Sequence, residues 1–351
     1  MTAASEAGSR KTRHPIRPAG LQFEPVRRNV YRAEELYEGF DPARPDSWVE
    51  TADFRIYAEF QAHGGATVSD SYTAMLRSLH DTSTTQLTAR VIEDRKVVAV
   101  MGGHQLRRDD PVYATVARLA RELAARDFLV TTGGGPGAME ASHLGAFLVG
   151  EKEDRLEEAI RALAVVPGMP VGLGEILDED GHADMKLARA AHKWFTPVFE
   201  VYSSGKDPGR TLSVPTWHYG HEPSTPLATD IGKLFQNSIR EDGLLAIATH
   251  GIVYAPGSAG TVQEIFQDAA QNFYESYGNR HSPMVLLGID YWSATLPVVP
   301  VLSNLFGDRY EEIVKLTDDI EQAIRFIEDA TPAHSALEKC LPAAALQPGN
   351  Y

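Results

Sequence analysis

The chain has 351 residues, of which 43% are hydrophobic, and its 48 acidic and 33 basic residues give a formal net charge of −15. A chain of this size can bury one large core or two, and its acidity argues against DNA or RNA as a ligand because nucleic-acid binding requires a basic surface. Its one cysteine, Cys340, excludes an intrachain disulfide and a cysteine-based metal site, so we expect a cytoplasmic protein.

The N-terminal part divides into a tail and a helical region. Residues 1–28 are rich in Ala, Ser, Arg and Pro, which predicts a disordered tail. They contain no apolar core of signal-peptide length, and no run of 18 apolar residues follows, so we expect neither secretion nor membrane insertion. In residues 29–95, apolar side chains recur three and four positions apart, which predicts a helical region packed on the main domain.

The core of the predicted fold begins with a βαβ unit. Residues 97–101 form an apolar, β-branched run, residues 111–126 have helical periodicity, and residues 128–131 form a second apolar run. Later patterns predict three further strands and a last helix. Residues 96–330 are therefore predicted to form an α/β, Rossmann-like, doubly wound parallel sheet. The three further strands are predicted at residues 211–214, 251–254 and 284–288, and the last helix is predicted at residues 319–328. Residues 150–210 are expected as an insertion and residues 331–351 as a C-terminal tail.

Two glycine-rich turns stand between an apolar run and a helical run. The first is Gly133-Gly-Gly-Pro-Gly137, and the second is Pro256-Gly-Ser-Ala-Gly-Thr261. A strand, a glycine turn and a helix in succession direct backbone N–H groups and a helix dipole at one point, which suits a phosphate ester. The alternative is that glycine only closes tight turns. Neither turn matches the P-loop or the full dinucleotide fingerprint, so no cofactor is predicted.

The segment 215–221 offers two further interpretations. His218 and His221 are three residues apart, but without a third ligand this spacing is weak evidence for a metal, and none is predicted. Trp217, His218 and Tyr219 follow a predicted strand and are candidates for stacking on a planar base. Packing of the insertion explains these aromatic side chains equally well.

The two glycine turns resemble the signatures of the LONELY GUY (LOG) proteins. The second signature in that family is Pro-Gly-Gly-x-Gly-Thr-x-x-Glu, from which this chain departs at Ser258 and at Gln263, where an acidic residue is usual. Glu264 is retained. The resemblance covers about residues 96–330 without the insertion, and the long form with N-terminal helices looks like bacterial relatives that cleave nucleoside monophosphates. Such chains are often called lysine decarboxylases, but no Schiff-base lysine context is visible here.

The resemblance implies hydrolysis of the N-glycosidic bond of a nucleoside 5′-monophosphate to a free base and ribose 5-phosphate. Glu264 is the candidate carboxylate beside the ribose, although the Thr261-x-x-Glu264 spacing also fits a helix cap. Arg240 is the candidate catalytic arginine, although a solvated helix arginine remains an alternative. Glu140 is expected at the ribose hydroxyls or, alternatively, only at a helix dipole. The predicted phosphate and ribose contacts are Gly102, Gly103, Gly133, Gly134, Gly135, Gly137, Glu140, Gly257, Ser258, Ala259, Gly260 and Thr261.

Two hypotheses follow from the sequence. The first is a nucleoside 5′-monophosphate nucleosidase acting on a purine, pyrimidine or cytokinin nucleotide, and the second is a non-catalytic nucleotide sensor or carrier that uses the same pocket. The combination of Glu264 with Arg240 favours the enzyme. The family resemblance also implies a homo-oligomer, whereas no nucleic-acid or membrane partner is expected.

Overall fold

The computed structural model describes residues 20–276 and 281–330. Its strands are β1 (Lys96–Met101), β2 (Phe128–Thr132), β3 (Thr211–Ser213), β4 (Asp230–Ile231), β5 (Ile252–Tyr254), β6 (Met284–Leu287) and β7 (Val314–Thr317). Its helices are α1 (Ala33–Leu36), α2 (Ala52–Ala62), α3 (Ser71–Ile92), α4 (Pro111–Ala125), α5 (Ala138–Phe147), α6 (Glu153–Leu163), α7 (Met185–Ser204), α8 (Asn237–Ile247), α9 (Ala259–Phe273), α10 (Val299–Phe306), α11 (Tyr310–Ile313) and α12 (Ile320–Asp329).

All the strands in the described part of the chain form one parallel sheet of seven, in the order β4-β3-β2-β1-β5-β6-β7. The chain winds outward from β1 to one edge, returns to the centre at β5 and winds outward to the other edge. The strand order therefore reverses between β1 and β5, which is the topological switch point where ligands bind in open α/β sheets. The predicted α/β, doubly wound parallel sheet is confirmed.

The core forms two layers, one on each face of the sheet. In β1, Val98 and Val100 pack with α4, α5 and α12 on one side. Val97, Ala99 and Met101 point to the other side, where they pack with α3, α8 and α9. A parallel sheet covered on both faces consists of almost continuous apolar strands, which is why the β1 sequence contains no alternating polar positions.

The N-terminal helical region packs against the sheet. Tyr31 and Ile231 exchange backbone hydrogen bonds, so this region extends beyond the edge strand β4. The predicted tail boundary at residue 28 needs correction, because Phe23 is buried against Phe235 and Arg27 is buried with an ion pair to Glu35. These contacts place residues 23–28 in the folded part. Residues 1–19 of the predicted N-terminal tail and the predicted C-terminal tail at 331–351, including Cys340, lie outside the described residues.

The segment 150–210 contains α6 and the long helix α7, which lie in the crossover from β2 to β3. Asp184 caps α7 by accepting hydrogen bonds from the N–H groups of Lys186 and Leu187. Trp194 and Phe195 of α7 are buried, and Phe195 contacts Trp48 of the N-terminal region. The inserted segment and the N-terminal helices therefore support each other on one face of the sheet.

Two strands, β4 and β7, were not predicted. Strand β4 has two residues, Asp230 and Ile231, which is too short to produce a periodic pattern. Strand β7 follows α11 without a glycine or proline, so no turn signal marks its start. Among the described residues, no helix is both long enough and apolar enough to cross a membrane.

Candidate active site

A cavity of about 310 Å³ opens at the carboxyl ends of β1 and β5, at the switch point of the sheet. It lies between the turn after β1, the loop that precedes β4, the first turn of α8 and the start of α9. Its lining residues are Met101, Gly102, Gly103, His104, Met139, Tyr219, Glu222, Arg240, Glu241, Ser258, Ala259, Gly260, Thr261, Gln263 and Glu264.

The turns after β1 and β5 are in direct backbone contact. The N–H of Gly103 donates to the carbonyl of Pro256 over 3.1 Å, and the N–H of Ala138 donates to the carbonyl of Gly103 over 3.1 Å. A Cβ on Gly257 would lie 2.1 Å from Oγ1 of Thr261 and 2.9 Å from the nitrogen of Gly103. These glycines are therefore required by close packing of the turns, which holds the start of α9 against the end of β1.

The glycine turn after β2 forms the wall behind the cavity. Gly137 has a φ of 69°, and a Cβ there would lie 2.2 Å from the carbonyl oxygen of Gly103. Gly134 also has a positive φ, and its carbonyl accepts a hydrogen bond from the N–H of Thr225. The structure thus brings the two predicted turns together. Gly102, Gly103 and residues 258–261 line the cavity, whereas Gly133, Gly134, Gly135, Gly137 and Gly257 support it from behind.

Glu264 faces the cavity from the second turn of α9. The helix begins at Ala259 with Ser258 as its N-cap, so Glu264 lies too far along the helix to form the capping box with Thr261. No ion pair joins its carboxylate to another residue in the described ranges. Burial raises the pKa of Glu264 to about 7, an effect that the positive charge of Arg240 opposes and the negative charge of Glu241 reinforces.

Arg240 lies in the first turns of α8 and extends over the glycine turn that follows β2. Its Nε donates a hydrogen bond of 3.1 Å to the carbonyl of Val214, just after β3. Its Nη2 lies so close to Gly133 that a Cβ there would be 1.9 Å from it. Helix α8 passes the ends of β3 and β2 on its way from β4 to β5, and this path brings Arg240 into the same cavity as Glu264.

Gln263 stands where the LOG signature has an acidic residue, and its side chain makes a local polar contact. Nε2 of Gln263 donates to Oε2 of Glu241 over 3.2 Å, and Oε1 of Glu241 accepts from Nδ2 of Asn237 over 2.7 Å. A glutamate at position 263 would place a second carboxylate beside Glu241, and like charges at this distance are destabilising. The amide of Gln263 instead links α9 to α8 at the edge of the cavity.

Glu140 has a structural role, contrary to the prediction that it contacts the ribose. It is 1% exposed, and its two carboxylate oxygens accept hydrogen bonds of 2.7 Å each from Nε and Nη2 of Arg108. The hydroxyl of Tyr113 donates to the same carboxylate over 2.8 Å. Arg108 also donates to the carbonyl of Trp194 and stacks on its ring. The pair therefore connects α5 to α7 behind the cavity.

Trp217 and His218 do not reach the cavity either. Trp217 is fully buried, stacks on Phe235 and donates from Nε1 to Asp53 over 2.9 Å. His218 lines a separate cavity between α3 and the start of α8. The next residue, Tyr219, is 41% exposed and lines the candidate site. Of the three aromatic residues considered in this segment, only Tyr219 lines the candidate site.

Several lining residues were not identified as site residues from the sequence, including His104, Met139, Glu222 and Glu241. His104, Met139 and Glu241 each adjoin a residue or motif that was identified, and this proximity was the available signal. Glu222 follows His221, which was considered from the sequence only as a metal ligand, and the loop that carries Glu222 has no periodic pattern that would indicate its direction. The described residues contain no cluster of three His, Cys, Asp or Glu side chains arranged to bind a metal ion.

Comparisons with known proteins identify solved structures only. No family model matches the chain, and no curated protein matches it. The molybdenum cofactor binding protein from the phototrophic bacterium Rippkaea orientalis is 14% identical over 67% of this chain and 96% of its own, with a TM-score of 0.36. The Moco carrier protein from Chlamydomonas reinhardtii is 14% identical over 67% and 96%, with a TM-score of 0.37. The structural-genomics protein TM1055 is 20% identical over 66% and 98%, with a TM-score of 0.39. At this level of similarity, nothing about ligand or activity is transferred to this chain.

Proposed function

We propose that the protein hydrolyses the N-glycosidic bond of a nucleoside 5′-monophosphate to a free base and ribose 5-phosphate, as the resemblance to LOG proteins implies. The observation that carries the proposal is the presence of Glu264 and Arg240 in one cavity with the N-terminal end of α9. A carboxylate, a guanidinium and a helix N-terminus are the groups that this reaction needs for the ribose, the leaving group and the phosphate.

The dimensions and location of the cavity favour a mononucleotide. Its volume of about 310 Å³ is near the lower end of the range for small-ligand pockets, which is about 300 to 1,000 Å³. The start of α9 presents the N–H groups of Ala259, Gly260 and Thr261, together with the positive end of the helix dipole. A phosphate bound there needs no metal ion and no basic side chain.

Glu264 is placed to stabilise the charge that develops on the ribose. As the base leaves, positive charge accumulates on C1′ and the ring oxygen, and a carboxylate beside them lowers the energy of this transition state. Glu264 lies about one helical turn after the amides proposed to bind phosphate, so one rigid helix would hold both ends of the ribose phosphate. An ionised Glu264 also orients a water molecule for attack at C1′.

Arg240 provides positive charge at the site. Its Nε donates a hydrogen bond to the carbonyl of Val214, and this bond restricts the orientation of the remaining N–H groups of the guanidinium. We infer that they bind an acceptor atom of the base or the phosphate. Arg240 also favours the ionised form of Glu264, which links the charge of one residue to the proton occupancy of the other.

The cavity contains three carboxyl groups, those of Glu222, Glu241 and Glu264, whose negative charge would oppose the binding of an anionic ligand. Burial raises the pKa of Glu222, so its carboxyl group contributes less negative charge to the site than an ordinary glutamate does. Glu241 accepts hydrogen bonds from two amides. The site can therefore bind a phosphate at one end and stabilise a cation at the other.

Free-base release tests the proposal. We would incubate the purified chain with AMP, GMP, CMP, UMP, dAMP and isopentenyladenosine monophosphate, and measure the free base and ribose 5-phosphate by chromatography. We expect turnover of at least one nucleotide and a loss of at least about 100-fold in kcat for Glu264→Gln, which keeps the shape and removes the charge. Tight binding of a nucleotide without turnover would instead favour the sensor or carrier.

A further inference from the structure

Besides Glu264 and Glu241, the cavity contains a third carboxyl group, that of Glu222, which was not identified from the sequence. Glu222 lies in the loop between β3 and β4 and lines the cavity together with Glu264 and Arg240. The backbone fixes its position, since its N–H donates to the carbonyl of Tyr219 over 2.8 Å. Its Oε2 lies next to the glycine turn after β2, 3.5 Å from the point where a Cβ on Gly135 would stand.

The surroundings of Glu222 leave its carboxyl group available. The nearest side chain that could pair with it is that of His104, whose Nε2 lies 4.0 Å from Oε1 of Glu222 and which is 39% exposed. The side chain of Glu222 itself is 17% exposed. His104 follows the turn after β1 and is therefore far in sequence from the loop that carries Glu222, but it is adjacent to Glu222 in space. Within the described ranges, no arginine or lysine forms an ion pair with Glu222.

Burial raises the pKa of Glu222, an effect that the charges of His104 and Arg240 oppose. The other titratable groups of this region are Glu264 and Glu241 across the cavity and His221 beside Glu222. The pKa of His221 is lowered, first by burial and then by the charges of His104 and His218, which favours a neutral ring next to Glu222. Glu222 and Glu264 thus form a pair of carboxyl groups in one cavity, each of which resists ionisation.

We propose that Glu222 is the general acid that protonates the leaving base, while Glu264 is the carboxylate that stabilises the ribose cation and activates water. This inference rests on the proposed function. The bond between C1′ and the base nitrogen breaks, and its electron pair passes to the base. The proton of the Glu222 carboxyl group passes to a ring nitrogen of the base. A water molecule adds to C1′ and gives its proton to Glu264, so the products are the free base and ribose 5-phosphate.

The positions of the two residues decide their roles. Glu264 is on α9, about one turn beyond the amides proposed to bind phosphate, so it belongs to the ribose end. Glu222 lies in the loop that also carries Tyr219, the exposed aromatic residue of the cavity. Because an aromatic ring suits a planar base, we assign Glu222 to the part of the cavity that holds the base. His104 gives Glu222 a route to take up a new proton from solvent after each turnover, because it lies beside Glu222 and is partly exposed.

The test compares Glu222→Gln with the unmutated chain on the nucleotide that is turned over best. We expect kcat to fall by about 100- to 10,000-fold, the usual contribution of a general acid, with KM changed by less than about threefold. The pH profile of kcat in the unmutated chain should fall on the alkaline side as Glu222 loses its proton. This alkaline decrease should be absent in Glu222→Gln.

A leaving group that needs no proton provides a second readout. A nucleotide with an N7-methylated purine carries a positive charge on its base and leaves without protonation, so Glu222→Gln should cleave it within about threefold of the unmutated rate. Glu264→Gln should lose activity on both nucleotides. Where the unmutated chain does not accept the methylated nucleotide, the pH profile alone decides. Equal losses for Glu222→Gln on both nucleotides, or an unchanged alkaline decrease, would overturn the assignment.

The design separates the failure of this inference from that of the proposed function. Absence of base release by the unmutated chain would overturn the proposed function and this inference with it. Turnover by the unmutated chain with nearly full activity in Glu222→Gln would overturn only the role of Glu222. Glu38→Gln is the matched control, because Glu38 is exposed on the N-terminal region and its substitution changes the net charge equally. Thermal unfolding of each variant verifies that the fold is retained.

Discussion

The guanidinium of Arg240 lies directly against the backbone of Gly133, so closely that a Cβ at position 133 would stand 1.9 Å from Nη2 and 3.0 Å from Cζ. Gly133 follows β2, whereas Arg240 comes from a helix more than 100 residues later in the chain. The absence of a side chain at position 133 therefore makes space for the arginine that lines the cavity. We therefore assign to Gly133, the first glycine of the turn, the role of accommodating Arg240 rather than that of binding the phosphate.

This contact predicts a selective effect of Gly133→Ala. The new methyl group would displace the end of a flexible arginine side chain, which changes stability little but moves the guanidinium out of the cavity. We expect kcat/KM to fall by at least about 100-fold, as for loss of a charged transition-state contact, with a nearly unchanged unfolding midpoint in urea. Gly243→Ala on the same helix is the control, because a Cβ at position 243 would meet no other atom within 4 Å, and it should retain full activity. Full activity in Gly133→Ala would show that Arg240 is not needed at this position.

The raised pKa of Glu264 predicts a pH-dependent stability. Its folded pKa of about 7 exceeds the ordinary value of 4.5, so the folded chain binds more protons than the unfolded chain between these pH values. The contribution of Glu264 to the free energy of unfolding therefore falls as pH rises from about 4.5 to about 7 and is constant above. Asp268, one turn later in α9, has its pKa raised to about 7 by burial and acts in the same direction.

Glu264→Gln should consequently stabilise the protein at pH 8 and leave it unchanged at pH 5. The expected gain at pH 8 is about 1 to 3 kcal/mol in the free energy of unfolding, since one pKa unit corresponds to about 1.4 kcal/mol. Urea unfolding at both pH values measures it, with Glu38→Gln as an exposed control. A variant that is less stable than the unmutated chain at pH 8 would contradict the conclusion that burial destabilises the ionised carboxylate at position 264.

The ion pair between Arg108 and Glu140 predicts a loss of stability without a loss of chemistry. Both side chains are about 1% exposed, and removal of one partner leaves an uncompensated charge in the core. We expect Glu140→Ala to lower the free energy of unfolding by about 3 to 5 kcal/mol. The folded fraction should retain its KM and kcat at low temperature. A specific increase in KM for the nucleotide, without destabilisation, would restore the role of Glu140 at the ribose.

Substitution of Tyr219 should change KM, whereas substitution of Trp217 should change stability. Tyr219 lines the cavity with a partly exposed ring, so Tyr219→Ala should raise KM by about tenfold or more, in line with about 1 to 3 kcal/mol for the loss of a ring stacked on a base. Tyr219→Phe should be nearly neutral. Trp217→Phe should reduce stability, because it removes the hydrogen bond to the buried Asp53, and should leave KM unchanged. KM and the unfolding midpoint of the three variants decide this assignment.

The sequence was sufficient for the central strands and the two glycine turns because these depend on local patterns. Long apolar runs indicate buried strands, and glycine clusters indicate turns in which backbone segments approach closely. The sequence did not identify Glu222 because its place in the cavity depends on the route of an irregular loop. It also misplaced Glu140 and Trp217, since a charged or aromatic residue has the same local pattern whether it faces a ligand or a buried partner such as Arg108 or Asp53.

A crystal structure of Glu264→Gln with bound AMP tests the central claim most directly. The account predicts the phosphate at the N–H groups of residues 259–261, the anomeric carbon within about 4 Å of the side chain at position 264, which is van der Waals contact, and the base on the side of Tyr219 and Glu222. A nucleotide bound with its anomeric carbon facing away from position 264, or with its phosphate away from the start of α9, would contradict it.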